Sequence, residues 1–157
     1  MDRNLLLTSA SRLVQPSTGA AREFEAARDA LAAELSRRME ARPDLDKLIG
    51  AGNLPMMEDN SRNFCRFMAS QFVAYEPRVL VETALWVFRA YRAHGFATTY
   101  WAANLDTFLA IAEATLPPSA FLEVVPFFDW LIVNIPVFVA ISDREMCPPL
   151  GDEPAHM

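Results

Sequence analysis

The sequence predicts an all-α protein: a compact bundle of five to six helices, with a central αα-hairpin over residues 77–116 and a proline-kinked hydrophobic last helix. Three observations carry that prediction. Apolar residues recur at spacings of three and four through most of the chain. Proline and glycine fall between those runs, where helices start and stop. The composition, 52% hydrophobic and 22% charged with eleven Phe, supplies enough apolar surface for a real core, and 157 residues suit one domain.

Taken in order, residues 1–19 are rich in Ser and Thr and read as a flexible arm. A helix from Ala20 to Arg42 follows. Its stripe of Phe24, Ala27, Leu31, Leu35 and Met39 is narrow and close to a seven-residue repeat, as at a bundle edge or a dimer seam. Arg42-Pro43 ends it, because the residue before proline is biased away from the helical region. A short helix between Pro43 and Ile49 leads to Gly50 and a loop from Ala51 to Pro55. The next helix runs from Asn60 to Tyr75 and turns Phe64, Phe67, Met68, Phe72 and Tyr75 inward.

The central hairpin starts at Pro77, whose missing N–H costs nothing in a first turn. Val81, Leu85, Phe88 and Tyr91 form its first stripe, and Trp101, Leu105, Phe108 and Ala112 its second. Gly95 suits the left-handed position that closes a helix, and Thr98 or Thr99 is placed to cap the next one. After Pro117-Pro118, Ser119 caps the run from Ala120 to Ser142, which Pro126 and Pro136 are expected to kink or split. Phe121 to Ile141 has the length to span a bilayer. Glu123, Asp129, Asn134 and the two prolines argue instead for a buried core helix, since one central acid costs about 2.5–3.5 kcal/mol on insertion scales. Residues 20–142 are thus the expected bundle and residues 143–157 an exposed polar tail.

Residues 93–157 carry one basic residue, Arg144, against eight acids, while residues 1–92 are close to balanced. No dense basic cluster exists to displace counterions, which argues against nucleic acid as a partner. Cys65 and Cys147 have neither a disulfide framework nor zinc spacing, so reduced thiols in a cytoplasmic protein are expected, with no metal. The three-Leu run near the start is too short for a secretory signal.

Glycine-rich phosphate loops, nucleophile elbows and HExxH zinc motifs are all missing, so a non-enzymatic chain is expected. The remaining route to catalysis is a buried carboxylate such as Glu123 or Asp129 with a raised pKa. Trp86, Tyr91, His94, Phe96, Tyr100 and Trp101 gather around the hairpin turn. They read either as core or as the lining of a pocket for a small apolar ligand. His94 reads either as an axial ligand to a tetrapyrrole or as a cap residue facing the negative end of a helix dipole. Arg89 and Arg92 are expected to pair with acids of the last helix such as Asp129, or to hold a ligand anion.

The pattern Leu85-Trp86, Tyr91, Gly95, Tyr100-Trp101, Leu105 resembles the helix–glycine–helix centre of bacterial helical sensor modules. Among these are the amino-terminal domains of stressosome co-antagonists and the helical caps beside cobalamin-binding domains. The resemblance covers about 40 residues and implies a sensing or docking module. The cobalamin motif DxHxxG is absent, so the resemblance implies no bound cobalamin. The leading expectation is a non-enzymatic sensory, regulatory or protein-interaction module without a cofactor, forming a homodimer or docking a protein partner. The alternative is a globin-like carrier of an apolar cofactor or tetrapyrrole, with His94 as ligand.

Overall fold

The computed structural model describes residues 2–146. Eight helices account for nearly all of them: α1 (Asp2–Ala10), α2 (Thr18–Glu40), α3 (Leu45–Ile49), α4 (Leu54–Val73), α5 (Pro77–Ala93), α6 (Tyr100–Thr115), α7 (Pro118–Val133) and α8 (Ile135–Met146). The all-α prediction holds, and the count exceeds five to six because residues 2–10 form a helix and the last hydrophobic run divides into two. Cys147, His156 and the rest of the expected tail lie outside the described residues.

α2 is the axis of the molecule, packing along α4, α6 and α7. Small buried residues on α2 (Ala20, Ala21, Ala32) and on α4 (Ser61, Cys65, Ala69) let the backbones approach. The stripe of Phe24, Leu31, Leu35 and Met39 is wholly buried inside one chain. That corrects the dimer-seam reading: the surface is already spent on α4, α6 and α7. The Ser17 hydroxyl accepts from the Ala20 N–H and caps α2. It also donates to Glu123 on α7, to which the Ser17 N–H donates as well, at 2.8 Å.

The arm expected over residues 1–19 is instead α1, held by Leu6 and Ala10 in the core. Three side chains fix its end. Tyr75 donates its hydroxyl to the Ala10 carbonyl, Trp130 its indole N–H to Ser9, and Gln15 its amide to the Val73 carbonyl. α4 begins six residues before the expected Asn60, with Pro55 in its first turn, so the loop shrinks to residues 50–53.

α5 and α6 start and stop where expected, but their hairpin is not the centre. α6 packs on α2 and α7, whereas α5 lies against α1 and α8 and meets α6 through ring side chains. Their turn is pinned from α3. The Ala97 N–H donates to the Leu48 carbonyl at 2.8 Å, and the Asn53 amide donates to the carbonyls of Ile49 and His94. Gly50 and Gly95, at φ +80° and +103°, make this possible: a Cβ on Gly50 would stand 3.1 Å from the Gly95 carbonyl oxygen. Thr99 occupies the N-cap position of α6 without a side-chain cap bond.

The last hydrophobic run is two helices bent by 46°. The break falls at Asn134, just before Pro136, and Ser119 lies inside α7 rather than capping it. Pro126 sits within α7 without ending it. It and Leu122, the residue whose carbonyl loses its helical partner, are both exposed. No single helix among the described residues is long and apolar enough to cross a membrane; α7 and α8 reach that length only as a bent pair. Asp143, Arg144 and Glu145, expected in a free tail, are the last turns of α8 and tie it to α1 and α5.

Candidate functional site

Where α5 stands off from α4 and α6, the side chains leave a cavity of about 210 Å³. α4 contributes Asn60, Asn63, Phe64, Phe67 and Met68, and α5 contributes Leu80, Thr83, Ala84, Trp86, Val87, Phe88 and Tyr91. Trp101, Asn104 and Leu105 come from α6, and Leu131 and Phe138 close the space from α7 and α8. The helical period explains the assembly: residues 80, 84, 87, 88 and 91 share one face of α5, and 60, 64, 67 and 68 one face of α4.

Of the six predicted pocket residues, Trp86, Tyr91 and Trp101 line this cavity. Trp86 is 56% exposed, a large ring left in solvent at the cavity lip. Tyr91 and Trp101 are buried with ring centroids 5.6 Å apart, and Phe88 lies 5.1 Å from Trp101. Phe96 and Tyr100 lie behind them as core, each packed edge-on within a chain of rings.

His94 stands apart from the lining, at the exposed C-cap of α5, with Nδ1 2.9 Å from the Ala90 carbonyl. That is the geometry of the cap reading. The predicted partners of the two arginines are also revised. Arg89 pairs with Glu145 at 2.8 Å, and Arg92 pairs with Asp143 and donates to the Ser142 hydroxyl. Asp129 is exposed on α7. Glu123 is exposed as well and engaged by Ser17, so neither acid is the buried carboxylate that catalysis was expected to need.

Two residues not singled out from the sequence matter most here. Asn60 and Asn104 are 5% and 2% exposed and line the inner wall. Both amides donate to the hydroxyl oxygen of Tyr100, at 3.4 and 3.0 Å. Burial pushes the Tyr100 hydroxyl far above the ordinary phenol range, so it stays protonated and uncharged. Burial raises Tyr91 as well. The signal available in the sequence was an asparagine inside an otherwise apolar stripe: Trp101, Asn104, Leu105, Phe108.

The lining holds no Asp, Glu, His, Lys, Arg or Cys. Among the described residues no cluster of His, Cys, Asp and Glu is arranged to hold a metal ion. Cys65, buried on α4, has its thiol pushed up to about 12 by desolvation, which makes it a poor nucleophile. A second hollow, between α2 and α4, is open and lined by Arg37, Arg62 and Arg66 together with Asp29, Glu40 and Glu58. Its mixed charges select no ligand of one sign. No protein-family model, curated protein or solved structure matches the chain.

Proposed function

We propose that this chain is a non-enzymatic helical binding module, of the sensory or regulatory kind, whose receptor site is the cavity between α4, α5 and α6. One observation carries the reading: a half-open apolar cavity lies between three helices, with an exposed tryptophan at its lip. Cores fill such space, because each void forfeits contacts and costs stability. Small-molecule sites keep it, with apolar walls and a few placed polar groups. An engineered cavity of about 150 Å³ holds benzene, so about 210 Å³ matches a guest of one or two rings. A tetrapyrrole is larger than that, and His94 lies outside the lining.

Scanning calorimetry with indene, an apolar two-ring probe, tests the reading. At ten times its Kd a guest adds about 1.4 kcal/mol, which raises Tm by roughly 3–6 °C for a chain of this size. An unchanged Tm at saturating indene overturns the proposal.

A further inference from the structure

We propose that the cavity selects neutral ring compounds bearing one hydrogen-bond donor, an indole or a phenol for example, with the donor seated on the side-chain carbonyls of Asn60 and Asn104. The inference rests on the ligand-binding reading above and adds the class of ligand.

A primary amide buried in an apolar wall is costly unless both of its ends are bonded. Asn60 and Asn104 each donate one N–H to the same acceptor, the Tyr100 hydroxyl oxygen. Among the described residues nothing donates to either carbonyl. No fully buried polar side-chain atom among them is without a partner, so these two oxygens keep some access, and both residues line the cavity. Turning one amide around does not remove the site. Tyr100 has a single proton to give, so the second amide still presents its carbonyl to the guest.

The rest of the wall defines the guest. Trp86, Phe88 and Trp101 offer ring faces and edges for a planar molecule. A charged guest would lose its hydration without meeting an opposite charge, since the lining has none. A hydrocarbon of the same shape fits but leaves the two carbonyls dry, and a buried polar group left unpaired is what discriminates between near-isosteres.

Indole and indene have nearly the same shape and differ by the ring N–H. Titration calorimetry of the full chain with each is expected to give a Kd for indole about ten-fold lower than for indene. In the double variant Asn60→Leu/Asn104→Leu the ratio is expected to fall to one while indene still binds, and each single variant, which folds where the double one does not, is expected to give an intermediate ratio. A purely structural role for the asparagines, holding Tyr100, would leave that ratio unchanged in the variants. Equal affinities in the unaltered chain, with indene bound, overturn the donor site and leave the cavity reading standing. Binding of neither probe overturns both.

Discussion

Around Phe24, the rings of Phe72, Phe108 and Phe128 lie with centroids 4.9–6.5 Å away, and all four are fully buried. Around Trp101, the rings of Phe88, Tyr91 and Tyr100 lie as close, at 4.8–5.6 Å, yet Phe88, Tyr91 and Trp101 itself border an open cavity. Similar side chains thus build a closed core in one place and a receptor-like space in the other. The difference is in the backbones. The rings of α2, α4, α6 and α7 are interleaved with Ala, Ser and Cys, which let the helices close up. α5 instead carries Val87, Phe88 and Tyr91 toward α6, which answers with Tyr100 and Trp101. Large residues facing large residues hold the helices apart, and α5 leans on α1 and α8.

Truncating one ring from each region separates the two most directly. Phe24→Ala is expected to cost about 3–5 kcal/mol, as for a large ring removed from a closed core. Trp86→Ala, more than half exposed, is expected to cost about 1 kcal/mol or less while abolishing indene binding. Urea unfolding of both variants checks the ordering; similar losses would mean that the two regions are packed alike.

Alkali tests the closed region a second way. The folded Cys65 thiol titrates at about 12 and the unfolded one near 9.0, so above pH 9 the unfolded chain releases a proton that the folded chain keeps. Stability is therefore fully present below pH 9 and falls as pH rises toward 12, by up to about 1.4 kcal/mol per pH unit. Above pH 10 the half-buried Tyr75 and the buried Tyr100 add slope of the same sign. Cys65→Ala is expected to flatten the segment between pH 9 and 10 in urea titrations. A slope that survives the substitution rejects the assignment.

Filling the open region should do the reverse of emptying the closed one. Ala84, on the cavity wall, becomes Leu with room to spare, so Ala84→Leu is expected to leave Tm unchanged or slightly raised and to block indene. A fall of several degrees would mean that the space is smaller than its walls indicate. The smallest effect concerns the charges that hold α5 in place. Glu145 pairs with both Arg3 and Arg89, joining α1, α5 and α8. These pairs are partly solvated, so Glu145→Gln is expected to cost about 1 kcal/mol or less, and the difference should shrink in high salt.

Much of the architecture was legible in the chain. Pro77 and Gly95 bound α5 where their backbone preferences put them, and the stripes Val81-Leu85-Phe88-Tyr91 and Trp101-Leu105-Phe108-Ala112 are buried as read. α1 escaped notice because only Leu6 and Ala10 mark its inner face, too few for a periodic signal. The hairpin is not the centre for a related reason: stripes show which face is buried but not which neighbour buries it, and α5 lies against α1 and α8. Half of the predicted pocket residues line the cavity, and His94, Phe96 and Tyr100 do not. Sequence proximity to the turn placed those three near the site, whereas the helical face decides which residues reach it. Asn60 and Asn104 lie 44 positions apart and become a pair only through Tyr100.

The three tryptophans provide the decisive measurement. Trp86 and Trp101 line the cavity; Trp130 lies outside its lining, with its indole N–H on Ser9. In an NMR titration of indole-¹⁵N-tryptophan-labelled protein with indene, the signals of Trp86 and Trp101 are expected to move together along one saturating curve while Trp130 stays in place. Unmoved Trp86 and Trp101 signals at saturating indene, or a shift confined to Trp130, would contradict the central claim that α4, α5 and α6 enclose a ligand site.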